Sequence, residues 1–222
     1  DFADVPAGIG GGWDGFRGTP QLVRMFDYQD NANPKANEIL DKRGIFYDKN
    51  RSIDITTSVT GTFTTEGWSV YKYTNMRSDG QPGSNTTFPD TDFPMFRLAD
   101  VYLMYAEAVA RGGQGGSMAT AVQYINALRQ RAYGDTFHGI NEAWLRENNF
   151  RNILDERQRE LYWEGTRRTD LIRYGLFTSG NYLWTFKGGV LGGVGVNGRY
   201  NVFPIPTTDL SVNGNLKQNE GY

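Results

Sequence analysis

The first clear helical pattern of apolar residues begins near Pro94. The residues that share one face of this predicted helix are Leu98, Val101, Tyr102, Tyr105 and Val109. Asp100 and Glu107 fall on the opposite face. Asp92 is a suitable N-cap and proline is well tolerated in a first turn, whereas Gly112-Gly113 ends the pattern. The spacing predicts an amphipathic helix of about four turns that packs through its aliphatic and tyrosine face.

A second helix with the same kind of pattern follows at once. Ser117 is a suitable N-cap, and Gly134 is a suitable C-terminal stop. The apolar stripe of this helix consists of Ala121, Val122, Ile125, Leu128 and Ala132. Two helices of about four turns joined by a short glycine linker predict an αα-hairpin, the unit of tetratricopeptide-like stacks.

A third block of helical pattern covers residues 141–174 and is interrupted near Gly165. After Gly175 the chain contains many glycines, which disfavour helix, so the tail is predicted to form loops that wrap over the surface. Together these segments predict a mainly α fold: tetratricopeptide-like helical hairpins with long irregular loops and a few short β-strands.

The first 94 residues have a different texture, rich in turn signals such as Asp79-Gly80. Residues 22–26 predict one or two helical turns. The β-prone runs, which predict edge strands or hairpins, are 53–57, 62–65 and 68–73. We therefore divide the chain into a loop-rich, ligand-side region (1–94) and a helical region with a wrapped tail (95–222), which together form one structural unit.

Composition excludes several classes of function. The net charge of -2 gives no electrostatic case for binding nucleic acid or an anionic membrane surface. The absence of cysteine excludes disulfides, thiol chemistry and cysteine-bound metal. Aromatic residues make up 14% of the chain and there are 28 glycines. Rings on glycine-rich backbone suit a ligand-binding surface, although they can equally fill the core of a loop-rich fold.

The opening segment DFADVPAGIGGGWDGF has no initiator Met and no basic or apolar signal region. No run reaches the ~20 apolar residues of a membrane span. We expect the chain to be a piece of a longer protein whose signal peptide or lipid anchor lies upstream.

The third helical block carries charges on its own apolar face. Arg157, Glu160 and Glu164 fall on the side that also holds Phe150, Ile153, Leu154 and Leu161. A buried charge costs several kcal/mol unless it is paired, so these residues predict a structural ion-pair network. The alternative is the acid/base pair of a glycoside hydrolase. However, carboxylates four residues apart on one helix have Cβ atoms only ~6 Å apart and point the same way, so they would not flank a sugar.

Other chemistry has little support. His138 is the only histidine and lies in the loop GDTFHGI, so we interpret it as an exposed loop residue rather than a zinc ligand or a triad member. The segment DYQDNANPKANE, which begins at Asp27, is rich in oxygen atoms but lacks the EF-hand spacing, and a calcium site there stays open. The sequence predicts no catalytic residue, no metal site and no cofactor.

Two aromatic segments are candidates for contact with a sugar. Trp13 lies on a glycine loop beside Asp14 and Arg17, which would place polar partners at the edge of its ring. Trp68 is followed by two further rings in the same segment. The candidate ligand-binding residues are therefore Trp13, Asp14, Arg17, Trp68, Tyr71 and Tyr73. For both tryptophans, packing in the core is the alternative.

Four motifs occur in a telling order from residue 93 onward. They are FPMFRLADVYLMYAEAVARGG, ALRQRA, ILDERQRELYWEGTRRTDLIRYGLF and FPIPTTDLSVNGNLKQNEGY. In this order they resemble the carboxy-terminal part of the SusD/RagB family, the outer-membrane glycan-binding lipoproteins of Bacteroidetes. Upstream, GGWDGFRGTPQLVRMFD and WSVYKYTN are more weakly similar to the middle region of that family.

The resemblance implies tetratricopeptide-like helices that support long, variable loops. It also implies a protein that is not an enzyme and is held at the cell surface by a lipidated cysteine upstream of this chain. Such a protein binds oligosaccharides, or other nutrients such as peptides, and hands them to a SusC-like TonB-dependent transporter. The motif EGTRRTDLIR (residues 164–173) looks structural in the family, and ligand residues come from variable loops, so none is transferred here.

Two rival functions stay open. A glycoside hydrolase needs two acids placed across a cleft and would release reducing sugar. A tetratricopeptide-like scaffold would form a stable complex with a protein partner and bind no saccharide.

Overall fold

A computed structural model of the chain describes residues 7–10, 16–56 and 65–222. The chain forms two compact units, Asp1–Arg167 and Arg168–Tyr222. This division falls elsewhere than the predicted boundary between residues 94 and 95, which was drawn on sequence texture and stays a prediction.

The predicted helical hairpin is present in the first unit. Helix α2 spans Leu98–Ala110 and helix α3 spans Met118–Tyr133. The side chain of Ser117 accepts a hydrogen bond from the backbone N–H of Thr120, as expected of an N-cap. Gly134 ends α3 in the left-handed conformation with φ of 80°, which a glycine adopts without strain. Both predicted caps of α3 are therefore confirmed, whereas α2 begins after Arg97 rather than near Pro94.

The predicted buried face of α2 is wrong. Leu98 and Val101 are 62% and 49% exposed, whereas Glu107, placed on the polar face, is buried. The residues that α2 buries are Ala99, Leu103, Ala106, Glu107 and Ala110. Alanines dominate this face because α2 packs against both α3 and the helix Arg151–Leu161, and small side chains allow that close approach. Glu107 is tolerated there because its carboxylate pairs with Arg111 at 3.0 Å.

The third helical block is broken as predicted. A short 3-10 helix, Glu147–Phe150, leads into α4, Arg151–Leu161, and α5 covers Arg167–Arg173. The intervening stretch contains Gly165 at φ of 76°.

The loop-rich part of the first unit has its own core. It contains helix α1, Pro20–Val23, a 3-10 helix at Ala36–Glu38, and strands β1, Phe46–Tyr47, and β2, Ser69–Val70. The strands pair antiparallel, with Phe46 opposite Val70 and Tyr47 opposite Ser69. The buried residues of this cluster are Val23, Phe26, Tyr28, Phe46, Ile53, Trp68, Val70 and Tyr162.

The predicted strands are only partly present. The run 68–73 is reduced to β2, and its partner β1 was not predicted. Residues 53–56 are not a strand, and residues 57 and 62–64 lie outside the described part of the chain. Such short strands leave little periodicity to detect, since two residues cannot show an alternating pattern.

The second unit is mostly irregular, as expected from its glycines. It contains two 3-10 helices, Lys187–Gly189 and Gly198–Asn201, and helix α6, Thr207–Val212, which was not predicted. The tail is held by Gln218, whose amide accepts from the backbone N–H of Ile205 and donates to its carbonyl oxygen. Among the described residues, none of the helices combines the length and the apolar character that crossing a membrane requires.

Candidate ligand-binding site

Glu160 and Glu164 share the guanidinium of Arg97. Arg97 Nη1 lies 2.6 Å from Glu160 Oε1, and Arg97 Nε lies 2.7 Å from Glu164 Oε2. Lys72 Nζ also contacts Glu164 and donates to the carbonyl oxygens of Glu160 and Tyr162 at 2.9 Å each. The two glutamate side chains are only 2% and 6% exposed. Both buried carboxylates are thus neutralised by cations that lie far away in the sequence.

A second group of charges joins this one through Arg43. Its Nη1 donates to Glu160 at 3.2 Å and to Glu156 at 2.8 Å. Glu156 is completely buried and also contacts Arg129 at 2.8 Å and Arg159 at 2.7 Å. Burial alone raises the pKa of Glu156, but the neighbouring arginines outweigh it and hold that pKa well below its usual range. The sequence pattern missed Glu156, Arg43, Arg129 and Arg159 because most of the ion pairs join distant segments.

Arg157, the third member of the predicted network, has a different carboxylate partner. Its Nη1 donates to Asp100 of α2 at 2.8 Å, which ties α4 to α2. The structure therefore brings Glu160 and Glu164 together around Arg97, and it pairs Arg157 with Asp100.

These carboxylates are poorly placed for glycoside hydrolysis. A catalytic pair faces a sugar from two sides and leaves a gap of about 5–9.5 Å for the bond being cleaved. Here the cation of Arg97 fills the space that Glu160 and Glu164 share. The geometry favours a structural role for both.

Trp68 is not an exposed ring. It is 2% exposed and packs edge-on against Tyr28, with ring centroids 5.9 Å apart, and against Phe46 at 6.2 Å. The pairing of β2 with β1 places this ring in the core of the loop-rich region. The prediction that Trp68 offers a surface to a sugar is corrected accordingly. The ring packs in the core, which was the alternative given for it. Tyr71 is half-buried, and burial raises the pKa of its hydroxyl.

The other loop candidates are only partly described. Arg17 is half-buried, and its guanidinium donates to the backbone carbonyl of Glu66 at 3.1 Å. Trp13 and Asp14 lie outside the described residues, so their ligand-binding assignment stays a prediction.

The remaining candidate, Tyr73, lines an open cleft of about 300 Å³. Its ring lies 6.4 Å from that of Phe93 with an angle of 32° between the planes, so the two rings form a bent apolar wall. Phe93 is 61% exposed and presents its ring to solvent. The cleft is further lined by Ala7, Ile9, Thr74, Asn75, Pro89, Thr91 and Asp92.

Asn75 holds the loops of this cleft together. Its side-chain Nδ2 donates to the carbonyl oxygens of Gly8 and Asn85 at 2.8 Å each, and its Oδ1 accepts from the backbone N–H of Asp90. The hydroxyl of Thr91 donates to the carbonyl oxygen of Thr74 at 2.7 Å. These bonds use both ends of the Asn75 amide, so the cleft is formed before any ligand arrives.

The Tyr73 hydroxyl is the unusual polar group of the cleft. It is buried and has no hydrogen-bond partner within the described part of the chain, although buried polar groups are nearly always paired. Burial, and then the negative charge of Glu164, raise the pKa of Tyr73, so the hydroxyl keeps its proton at neutral pH. The carboxylate of Asp92, at the exposed rim, can accept hydrogen bonds. A stacking ring with a donor and an acceptor at its edge suits a sugar.

His138, expected to be an exposed loop residue, is partly exposed. Its ring stacks on Tyr133, with centroids 3.9 Å apart, and its Nδ1 lies 2.9 Å from Asp135 Oδ1. In the segment that begins at Asp27, Asp30 accepts from the backbone N–H groups of Ala32 and Asn33. Across residues 7–10, 16–56 and 65–222, no group of three or more His, Cys, Asp or Glu residues is arranged to hold a metal ion.

Comparison with known proteins decides the family. The profile of the SusD family matches residues 25–222. The chain belongs to the SusD family.

The similar proteins are longer than this chain. The starch-binding protein SusD of Bacteroides thetaiotaomicron is 47% identical over 158 residues, which are 71% of this chain and 26% of that protein. SusD-like protein P25 of Formosa agariphila is 36% identical over 142 residues, or 58% of this chain and 24% of the relative. The chain thus spans about a quarter of the length of these curated relatives.

A solved structure supports the fold. A SusD-like protein from Bacteroides fragilis superposes with a TM-score of 0.60 at 20% identity, covering 95% of this chain and 48% of that protein. The predicted mainly α, SusD-like fold is therefore confirmed, as is the family resemblance read from the four motifs.

Proposed function

We propose that this chain is part of a cell-surface protein that binds an oligosaccharide without cleaving it and delivers it to a TonB-dependent outer-membrane transporter. The main support is the cleft between Tyr73 and Phe93. It combines the exposed ring of Phe93 with the buried hydroxyl of Tyr73, which has no hydrogen-bond partner among the described residues. Identity of 47% to a protein named for binding starch supports the saccharide as ligand class. Anchoring by a lipid upstream and a location at the outer membrane are parts of the same proposal.

The absence of catalysis follows from how the acids are used. Glu160 and Glu164 are held by Arg97, and Glu156 by three arginines. A buried carboxylate whose pKa is lowered, as in Glu156 and Glu160, cannot donate a proton near neutral pH. Burial raises the pKa of Glu160, but hydrogen bonds from Arg131 and Arg97 reverse that effect.

Calorimetric titration tests the proposal. Because the similar protein is named for starch, short maltooligosaccharides are the first ligands, followed by other plant, host and microbial glycans. We expect saturable binding in the millimolar to micromolar range, or ~4 to 8 kcal/mol. Phe93→Ala should weaken it roughly tenfold or more, since removing a Phe side chain that the ligand covers loses ~1.5–3 kcal/mol. Phe88→Ala is the matched control, because Phe88 is 75% exposed and does not line the cleft.

The variant Trp13→Ala separates two locations for the site. If it abolishes binding while Phe93→Ala has no effect, the sugar is held by the glycine loop and not by the cleft. If no glycan binds to the folded chain, saccharide binding by this part of the protein is refuted.

One observation favours protein interaction as a second role. Leu98, Val101 and Met104 are 62%, 49% and 48% exposed along one side of α2, the pattern of a helix that packs on another helix. Co-expression with a SusC-like transporter tests this role: Val101→Asp should reduce recovery of the complex and leave glycan binding unchanged. Recovery equal to that of the original chain would exclude this face of α2 from the contact.

A further inference from the structure

The second compact unit contains an aromatic pocket that is distinct from the cleft between Tyr73 and Phe93. Its volume is about 260 Å³, slightly below the ~300–1,000 Å³ of typical ligand sites, which suits a single sugar ring. The residues that define it here are Arg168, Phe177, Trp184, Tyr200, Phe203 and Tyr222.

Lys187 fixes the loop that builds the floor of this pocket. It is 2% exposed, and its Nζ donates to the carbonyl oxygens of Leu176, Ser179 and Tyr182. An ammonium group has three donors, so all of them are used within the loop. The same Nζ lies 4.5 Å from the ring of Trp184. Lys187 therefore positions the pocket and has no donor left for a ligand.

Two rings on this loop form an apolar surface. Phe177 and Trp184 stack, with centroids 6.2 Å apart and 28° between their planes. Phe203, on the opposite stretch of chain, is 71% exposed. Such surfaces accept the apolar face of a pyranose ring.

Arg168 differs from Lys187 because part of its hydrogen-bonding edge is unused among the described residues. Its guanidinium lies 4.1 Å from the Phe203 ring and 5.1 Å from the Phe177 ring, and its Nη2 donates to the carbonyl oxygen of Tyr200 at 2.7 Å. Its other N–H groups make no hydrogen bond within the part of the chain that the structure describes. The ring contacts hold the guanidinium plane, so its remaining donors are pre-oriented as a fork for a planar anion.

We propose that this pocket binds a sugar residue that carries a carboxylate, as in a uronic acid. The carboxylate would accept from the free N–H groups of Arg168 while the sugar ring lies against Phe177 and Trp184. A neutral sugar leaves those charged donors with weaker acceptors, which is why the site favours an acidic one. This inference rests on the proposed function and adds to it a second saccharide site, in the second unit, that takes an acidic sugar residue.

Titration with an acidic oligosaccharide and its neutral derivative tests the inference. The probes are a short oligogalacturonate and the same oligosaccharide with its carboxylates methyl-esterified. We expect the free acid to bind roughly tenfold or more tightly than the ester, and added salt to reduce the difference. Arg168→Gln should remove the preference. Lys217→Gln is the matched control, because it makes the same change of charge at an exposed position of the same unit.

Nuclear magnetic resonance shows whether the acidic oligosaccharide binds in this pocket. Oligogalacturonate should shift the indole N–H resonance of Trp184, and Arg168→Gln should reduce that shift at the same ligand concentration while the rest of the spectrum shows a folded chain. Equal affinity for acid and ester, or an unchanged preference in Arg168→Gln, overturns the inference. If a maltooligosaccharide still binds in that case, the proposed function stands; if no saccharide binds at all, both fail.

Discussion

Replacing Glu160 with glutamine removes one negative charge from the centre of the buried ion network while keeping the shape of the side chain. The carboxylate contacts the guanidinium groups of Arg97 and Arg131 at 2.6 Å each and that of Arg43 at 3.2 Å. Glutamine offers one acceptor oxygen in place of two, and its amide nitrogen would point donors at cations. At a side chain only 2% exposed, water cannot replace the lost partner.

The loss in free energy of unfolding that Glu160→Gln causes follows from the burial of the side chain. Removing one partner of a buried ion pair destabilises a protein by about 3–5 kcal/mol, because the other charge is left without compensation. For a chain of this size each kcal/mol lowers Tm by about 2–4 °C, so we expect a fall of about 6–20 °C. Urea and thermal unfolding followed by circular dichroism measure both quantities. Glu142→Gln, at an exposed position, is the control and should stay within about 0.5 kcal/mol of the original chain.

A small effect of Glu160→Gln on unfolding would contradict a stabilising role for the ion network. If Glu160→Gln unfolds like Glu142→Gln, the ion network does not stabilise the fold. A reducing-sugar activity that disappears in Glu160→Gln would instead favour the glycoside hydrolase alternative.

Three further predictions concern the ion network, the aromatic core and the cleft. The pKa values of Glu156 and Glu160 are lowered in the folded chain, so their contribution to stability is present above the usual pKa of 4.5 and is lost as the pH falls below it. The urea midpoint should therefore decline as the pH falls below 4.5, and it should decline less steeply in Glu160→Gln. Trp68→Ala should cost about 3–5 kcal/mol of stability in urea unfolding, since it leaves a large cavity beside Phe46, and a loss below ~1 kcal/mol would contradict its place in the core. Tyr73→Phe should weaken glycan binding by roughly threefold to tenfold in calorimetry without lowering Tm, because its hydroxyl has no partner in the described chain; unchanged affinity would remove that hydroxyl from the site.

The sequence was most informative where structure is decided by neighbouring residues. The start of α3 at Ser117 and its end at Gly134 depend on local backbone geometry, and both were predicted. The buried face of α2 was not, because the pattern weighted large apolar side chains and the packing required small ones. Which face a helix buries depends on its neighbours, and α3 and α4 select the alanines.

The spacing of residues in the sequence could not predict sites that are assembled from distant segments. The charges of Glu160 and Glu164 predicted a network, but spacing could not name Arg43 or Arg97 as partners, since they lie more than a helix length away in sequence. Tyr73 was a candidate, whereas Phe93 was read only as part of a motif. Their rings meet because Asn75 folds the intervening loop back on itself.

Non-catalytic glycan binding is tested most directly by calorimetric titration of the folded chain with maltooligosaccharides and other glycans. The same mixtures are then incubated for a long time and assayed for reducing ends. A glycan-binding protein without catalytic activity should show saturable binding that Phe93→Ala weakens and Phe88→Ala does not, with no increase in reducing ends. A folded chain that binds no glycan, or one that releases reducing sugar, would contradict non-catalytic glycan binding.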